Sequence, residues 1–189
     1  MSNLKNKRIP ENILTKVAKA LSYFPSLEDI PITFKFKKDI KKSTMQAQPQ
    51  FLNVLFGKKP RHYVIFISEK FKISGTDLKT RDIPHDVFIG WIGHELGHIM
   101  DYEEMSNSQL ICFGFKYIFL EKHIINAERK ADHFAIQQGM EDYIMKTKNF
   151  ILNNADITQA YKNRIKRYYL SPEEIIQLVN NRNNVTSKP

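Results

Sequence analysis

The spacing of apolar positions divides this chain into a mixed first half and a helical second half. Ile13, Leu14, Val17, Ala20, Leu21 and Phe24 recur at three- and four-residue intervals, which predicts an amphipathic helix from Pro10 to Phe24, ended by Pro25. Ile32, Phe34 and Phe36 then alternate with Thr33, Lys35 and Lys37, the two-residue period of a half-buried strand. Two apolar runs follow, Phe51 to Phe56 and His62 to Ile67, joined by the turn-rich GKKPR. Read as a hairpin, they complete a sheet of at least three strands. The mostly polar stretch from Ser68 through Arg81 reads as a loop.

From Pro84 onward the period is helical. IGWIGHELGHIMDY, Ile89 to Tyr102, is apolar nearly all round, as expected of a buried helix. Gly93 and Gly97 lower its helix propensity by about 1 kcal/mol each, which close approach of another element would explain. Further helices are expected over Asn107 to Leu120, Glu121 to Gln138 with Gly139 as its C-terminal cap, and Met140 to Leu152. Asp156 is placed to cap the next, which carries Ile157, Ala160, Ile165 and Tyr168. Ser171, Pro172 and Glu174 form a capping-box start for the last. With no internal repeat and no long linker, the economical reading is one α+β domain over residues 1–182, with a disordered tail over 183–189.

The buried helix carries the chemistry. At 3.6 residues per turn, His94 and His98 share one face a turn apart, with Glu95 flanking them in an HExxH pattern. Two such imidazoles can hold one Zn²⁺, and the intervening Glu95 is placed to take a proton from a water beside the metal. Trp91, Ile92, Leu96, Ile99 and Met100 surround this face with uncharged neighbours, which a chance HExxH on a solvated helix would lack. A third ligand is needed, and three residues compete: Glu121, His123 and Glu128. Glu128, 30 positions beyond His98, shares an apolar stripe with Ile124, Ile125, Ala131 and Ala135. Asp132 lies one turn further on, where a carboxylate can accept the free ring N–H of a ligating histidine. His123 has Ala127 at the equivalent position.

Composition narrows the alternatives. A formal charge of +9 comes from 29 basic against 20 acidic residues, with dense runs at Lys35 to Lys42 and Lys58 to Arg61. Weak attraction to acidic partners follows, but the dominance of Lys over Arg argues against direct base reading in nucleic acid. The single cysteine, Cys112, rules out an internal disulfide and is expected to be buried within LICFGFKYIFL. A reducing compartment fits, and the N-terminal residues carry no apolar signal segment, so the expected location is cytoplasmic. The apolar run from Leu110 to Leu120 is too short to cross a bilayer and reads as a buried helix. An interfacial site built on Phe113, Phe115, Tyr117 and Phe119 is the lesser reading.

HELGH followed by Glu128, Ala131 and Asp132 in a Glu-x-x-Ala-Asp pattern resembles the gluzincin metallopeptidases: thermolysin in the broadest sense, HtpX-like and ImmA/IrrE-type peptidases more closely. The resemblance covers roughly Phe88 to Ala135. It implies a zincin-like fold and a zinc ion held by His94, His98 and Glu128, with Glu95 as base and Asp132 supporting a ligand. The implied activity is that of a zinc-dependent endopeptidase on peptides or unfolded protein. Unlike HtpX-like enzymes the chain has no transmembrane span, and unlike the ImmA/IrrE type it shows no helix-turn-helix partner domain. Two other classes stay open, a peptidase-fold protein that binds or regulates with little turnover, and a structural zinc domain. For the oxyanion donor, His133, Arg129, Tyr161 and Tyr168 are all candidates, and His62 to Ile67 is the strand expected to offer its edge to a substrate.

Overall fold

The computed structural model describes residues 4–38, 40, 43–57, 59–71, 78–79, 82–154 and 156–186. Its architecture is α+β. A short strand β1 (Lys7–Arg8) is followed by a 3-10 turn and helix α1 (Leu14–Leu21), so the expected first helix is shorter than its apolar period. The sheet continues with β2 (Ile32–Lys37) and β3 (Met45–Pro49). Helix α2 (Phe51–Leu55) then leads into β4 (Tyr63–Ser68). The strands lie in the order β1-β2-β4-β3, with β1, β2 and β4 parallel and β3 antiparallel to β4.

Three expectations for this half are corrected. Phe51 to Phe56 is not a strand: it makes one short helix that buries Val54 and leaves Phe51, Leu52, Leu55 and Phe56 exposed, because β4 already has both neighbours. The third strand is β3 instead, whose MQAQP buries only Met45 and Ala47 between two glutamines, too weak an apolar alternation to stand out. The hairpin is therefore absent, and β4 is a central strand with no free edge. The expected loop after Ser68 contains an antiparallel pair, β5 (Lys70–Phe71) with β6 (Leu78–Lys79); the rest of that loop, 72–77 and 80–81, lies outside the described residues.

The second half follows its period more closely. Helices α3 (His85–Glu103), α4 (Asn107–Phe119), α5 (Glu121–Gln137), α6 (Glu141–Asn153), α7 (Gln159–Tyr168) and α8 (Pro172–Thr186) succeed one another. Gly139, at φ +89°, ends α5 as its composition suggests. Ser171 and Glu174 form the expected reciprocal box at α8, with Ser171 N–H donating to Glu174 at 2.8 Å and Glu174 N–H to Ser171 Oγ at 3.3 Å. Thr158, not Asp156, caps α7, since its side chain is the one that accepts from Tyr161 N–H. Of the tail expected over 183–189, residues 183–186 are instead the last turn of α8, and 187–189 lie outside the described residues.

Helix α3 is the axis of the molecule: α5, α6, α1 and β3 all pack on it, which is why its sequence is apolar on every side. A Cβ at Gly97 would fall 2.2 Å from the Ala131 carbonyl oxygen, so this glycine lets the α5 backbone reach α3; Gly93 makes room for the Met140 side chain in the same way. Arg61 is not part of a solvated basic patch. It is buried, and its guanidinium donates to Tyr102 O at 2.8 Å, Met105 O at 2.5 Å and Asn107 Oδ1 at 2.9 Å, tying the entrance of β4 to the α3–α4 junction. Lys7 similarly donates to the carbonyls of Leu27, Glu28 and Ile30. Among the described residues no helix is long and apolar enough to cross a membrane.

Candidate metal centre

The α3–α5 contact brings His94, His98 and Glu128 together, three buried donors whose ligand atoms all lie within 4.8 Å of one another. His94 Nε2 is 3.0 Å and His98 Nε2 3.4 Å from Glu128 Oε2. Two ligands of one tetrahedral zinc, each at roughly 2.0–2.1 Å, sit about 3.3 Å apart, so these separations and this nitrogen and carboxylate donor set fit a metal ion. Neither rival for the third position is near. Glu121 is on the surface, where Arg167 (2.7 Å) and Tyr168 Oη (2.6 Å) donate to it. His123 packs its ring on Phe113 at 4.8 Å between centroids.

Asp132 occupies the expected place behind His94, with Oδ1 2.8 Å from Nδ1. Its other oxygen accepts from Lys148 Nζ at 2.7 Å and from Leu170 N–H at 3.2 Å, so a buried chain runs Glu128, His94, Asp132, Lys148. His98 lacks such support, its Nδ1 being buried without a hydrogen-bond partner among the described residues. These contacts set the charge states. Burial alone would lower the His94 pKa, but the hydrogen bonds to Asp132 and Glu128 outweigh it and raise it to about 10. Burial pushes Glu128 up, yet His94 and His98 hold its carboxyl well below the usual range; Asp132 is likewise held low against burial, by Lys148 first and then His94.

Glu95 stands apart from the donor group. Its Oε2 accepts from the Ala47 N–H of β3 at 2.6 Å, and burial pushes its carboxyl above the ordinary range, with His98 and His94 pulling the other way. A raised carboxylate pKa brings a base nearer to neutral pH, where it can take up and return a proton. Glu95, His94, His98 and Glu128 all line one cleft of about 920 Å³, walled by β3, α4 and α7.

Of the oxyanion candidates, Tyr161 lines this cleft, its hydroxyl pushed up to about 12 mainly by burial. Arg129 is engaged elsewhere, donating to Glu174 and to Tyr169 O, and Tyr168 faces Glu121. His133, half-buried on α5, is not among the cleft-lining residues. The structure also adds groups that sequence reasoning missed. Tyr117 donates its hydroxyl to Glu128 Oε1 at 2.6 Å, and Tyr169 lies over the His94 ring at 5.3 Å between centroids. Lys148 had a readable signal, since it sits between Ile144 and Ile151 on the apolar stripe of α6, where a lysine needs a buried counter-charge. Tyr117 had none, being one more aromatic in an apolar run.

No protein-family model, no curated protein and no solved structure matches this chain.

Proposed function

We propose that this chain is a zinc-dependent endopeptidase of the gluzincin type with a zincin-like fold. The observation that carries the reading is the shared cleft: three donors converge on one side of it, and a carboxylate outside the donor set, with a raised pKa, stands beside them. A structural zinc site is closed by a fourth protein ligand, whereas a hydrolytic one leaves a position open and keeps a base next to it. His94, His98 and Glu128 would hold the zinc, which supplies the Lewis acidity that makes water a nucleophile at neutral pH. Glu95 accepts the proton of the attacking water and returns it to the leaving amine. Asp132 fixes the His94 ring by its 2.8 Å contact, and Tyr117 fixes Glu128. Of the four oxyanion candidates, Tyr161 is the one whose residue lines the cleft, and we assign it to a developing oxyanion.

The substrate is an extended segment of peptide or unfolded protein. The edge that can take it is β3, not β4. Thr44 O accepts from Ser68 N–H and Gln50 N–H donates to His62 O, so the alternate residues Met45, Ala47 and Pro49 turn their main chain away from β4. Ala47 spends its outward N–H on Glu95 and Pro49 has none, so a substrate strand meets the Met45 N–H and the outward carbonyls of this edge, directly beside Glu95.

Metal analysis and cleavage of an unfolded protein test the reading. Wild type should carry about one zinc per chain, and Glu95→Gln should keep the metal while losing hydrolysis, because Glu95 is a base and no ligand. Glu128→Ala should lose both, and His123→Ala neither. Undiminished cleavage by Glu95→Gln would remove the mechanism, and loss of metal from it would make Glu95 a ligand.

A further inference from the structure

Among the described residues, all the large apolar side chains left exposed, save Leu14 and Ile176, fall in two segments, residues 51–56 and 111–120. Helices α2 and α4, which carry most of them, pack against each other. Helix α4 is held by one stripe only, with Leu110 and Phe113 buried and Tyr117 reaching inward. Its other faces present Phe115, Ile118 and Phe119 at 65%, 72% and 76% exposure, while Phe51 and Phe56 on the neighbouring segment are each 67% exposed. This is the reverse of the expected burial of Cys112 and its neighbours: Cys112 itself is exposed. A helix that leaves three large side chains two-thirds in water does not obtain its stability from that face, so the face is available to an outside partner.

The charge around it selects the partner. Residues 50–68 and 105–120 contain no Asp or Glu, while Lys59 and Lys116 within these segments, and Lys122 just after the second, are exposed and form no ion pair among the described residues. The two acidic residues that border α4 in sequence are already engaged, Glu104 by Lys130 and Glu121 by Arg167 and Tyr168. A second copy of the chain would bring the same lysine-bearing segments, which hold no Asp or Glu, against these lysines, a like-charge arrangement that opposes association. An anionic lipid surface satisfies both features, since the headgroup layer attracts lysines and the acyl boundary takes in aromatic and aliphatic side chains.

We propose that the α2–α4 face is a docking surface for anionic membranes, with Phe51, Phe56, Phe115, Ile118 and Phe119 inserting at the acyl boundary and Lys59 and Lys116 meeting the headgroups. Ile118 and Gly114 of the same helix line the cleft, so docking sets the mouth of the metal centre at the bilayer surface.

Vesicle co-sedimentation of the full chain tests this. The probes are vesicles of phosphatidylcholine alone and of phosphatidylcholine mixed with phosphatidylglycerol. Binding is expected to the mixed vesicles, to weaken as salt is raised, and to fall about tenfold or more in Phe115→Ser/Ile118→Ser/Phe119→Ser. Lys116→Glu should weaken it while leaving the apolar residues intact. Circular dichroism of both variants should match wild type, because every altered side chain is exposed. In Phe119→Trp, added mixed vesicles should shift the tryptophan emission to the blue; the native Trp91, 5% exposed, contributes a constant background. Three outcomes would overturn the proposal: no binding to mixed vesicles, equal binding to both vesicle types, or a triple variant that binds as wild type does. Self-association that the triple variant abolishes, without vesicle binding, would reassign the face to a second copy.

Discussion

Helix pairs α3–α5 and α2–α4 depart from ordinary burial in opposite directions. The first buries polar groups: His94, Glu95, His98, Glu128 and Asp132 are all inside, joined by Lys148 from α6. The second exposes apolar groups, with Phe51, Phe56, Phe115 and Phe119 in water. Where charge is buried, nearly every group has a partner within about 3 Å, because an unpaired ion in a dry interior costs several kcal/mol. Where apolar area is exposed nothing comparable holds it, since the cost of each side chain left in water is only about 1.5–3 kcal/mol and falls on the solvent, not on a neighbour. Folding energy thus depends tightly on the first region, and the second is left free for association.

The sharpest way to break this contrast is Lys148→Met. It leaves the Asp132 carboxylate buried with one cation fewer, and should cost roughly 3–5 kcal/mol of stability by denaturant titration. A loss under about 1 kcal/mol would mean that the chain behind His94 is not what the interior depends on. Gly97→Ala probes the helix contact itself, because the added Cβ would meet Ala131 backbone and force α3 from α5; about 1–3 kcal/mol is expected, together with weaker metal binding.

Acidity provides a graded test. The His94 pKa in the metal-free fold, about 10, is above its ordinary 6.5, so the stabilisation from the protonated ring is complete below pH 6.5 and is lost as pH rises towards 10. The metal-free protein should therefore unfold more easily from pH 7 to pH 10, by at most about 1.4 kcal/mol per pH unit for one proton. Zinc-loaded protein should not show this trend, because a ligating His94 has already given up that proton. An unchanged denaturation midpoint across the range would show that His94 is not held between Glu128 and Asp132 as a cation. The smallest effect is expected at the rim, where Phe119→Ser should change stability by no more than about 0.5 kcal/mol. A larger loss would show that α4 draws on this face for its folding.

How much of this was legible in sequence depended on the range of the interactions involved. The α+β class, the helical second half, the Gly139 cap and the Ser171–Glu174 box follow from local spacing and local hydrogen bonding, and they stand in the structure. The grouping of His94, His98, Glu128 and Asp132 was also readable, because two helices with i, i+4 polar residues in apolar stripes have few ways to face each other. The tertiary structure alone decided the strand order. A five-residue apolar run such as Phe51–Leu55 is compatible with helix or strand, and only the pairing of β4 with β2 and β3 left it no place in the sheet. Tertiary packing also decided which apolar residues went inside. Burial on α4 is set by which neighbours reach it, and a run like LICFGFKYIFL, apolar on every face, does not record that only one stripe will be covered.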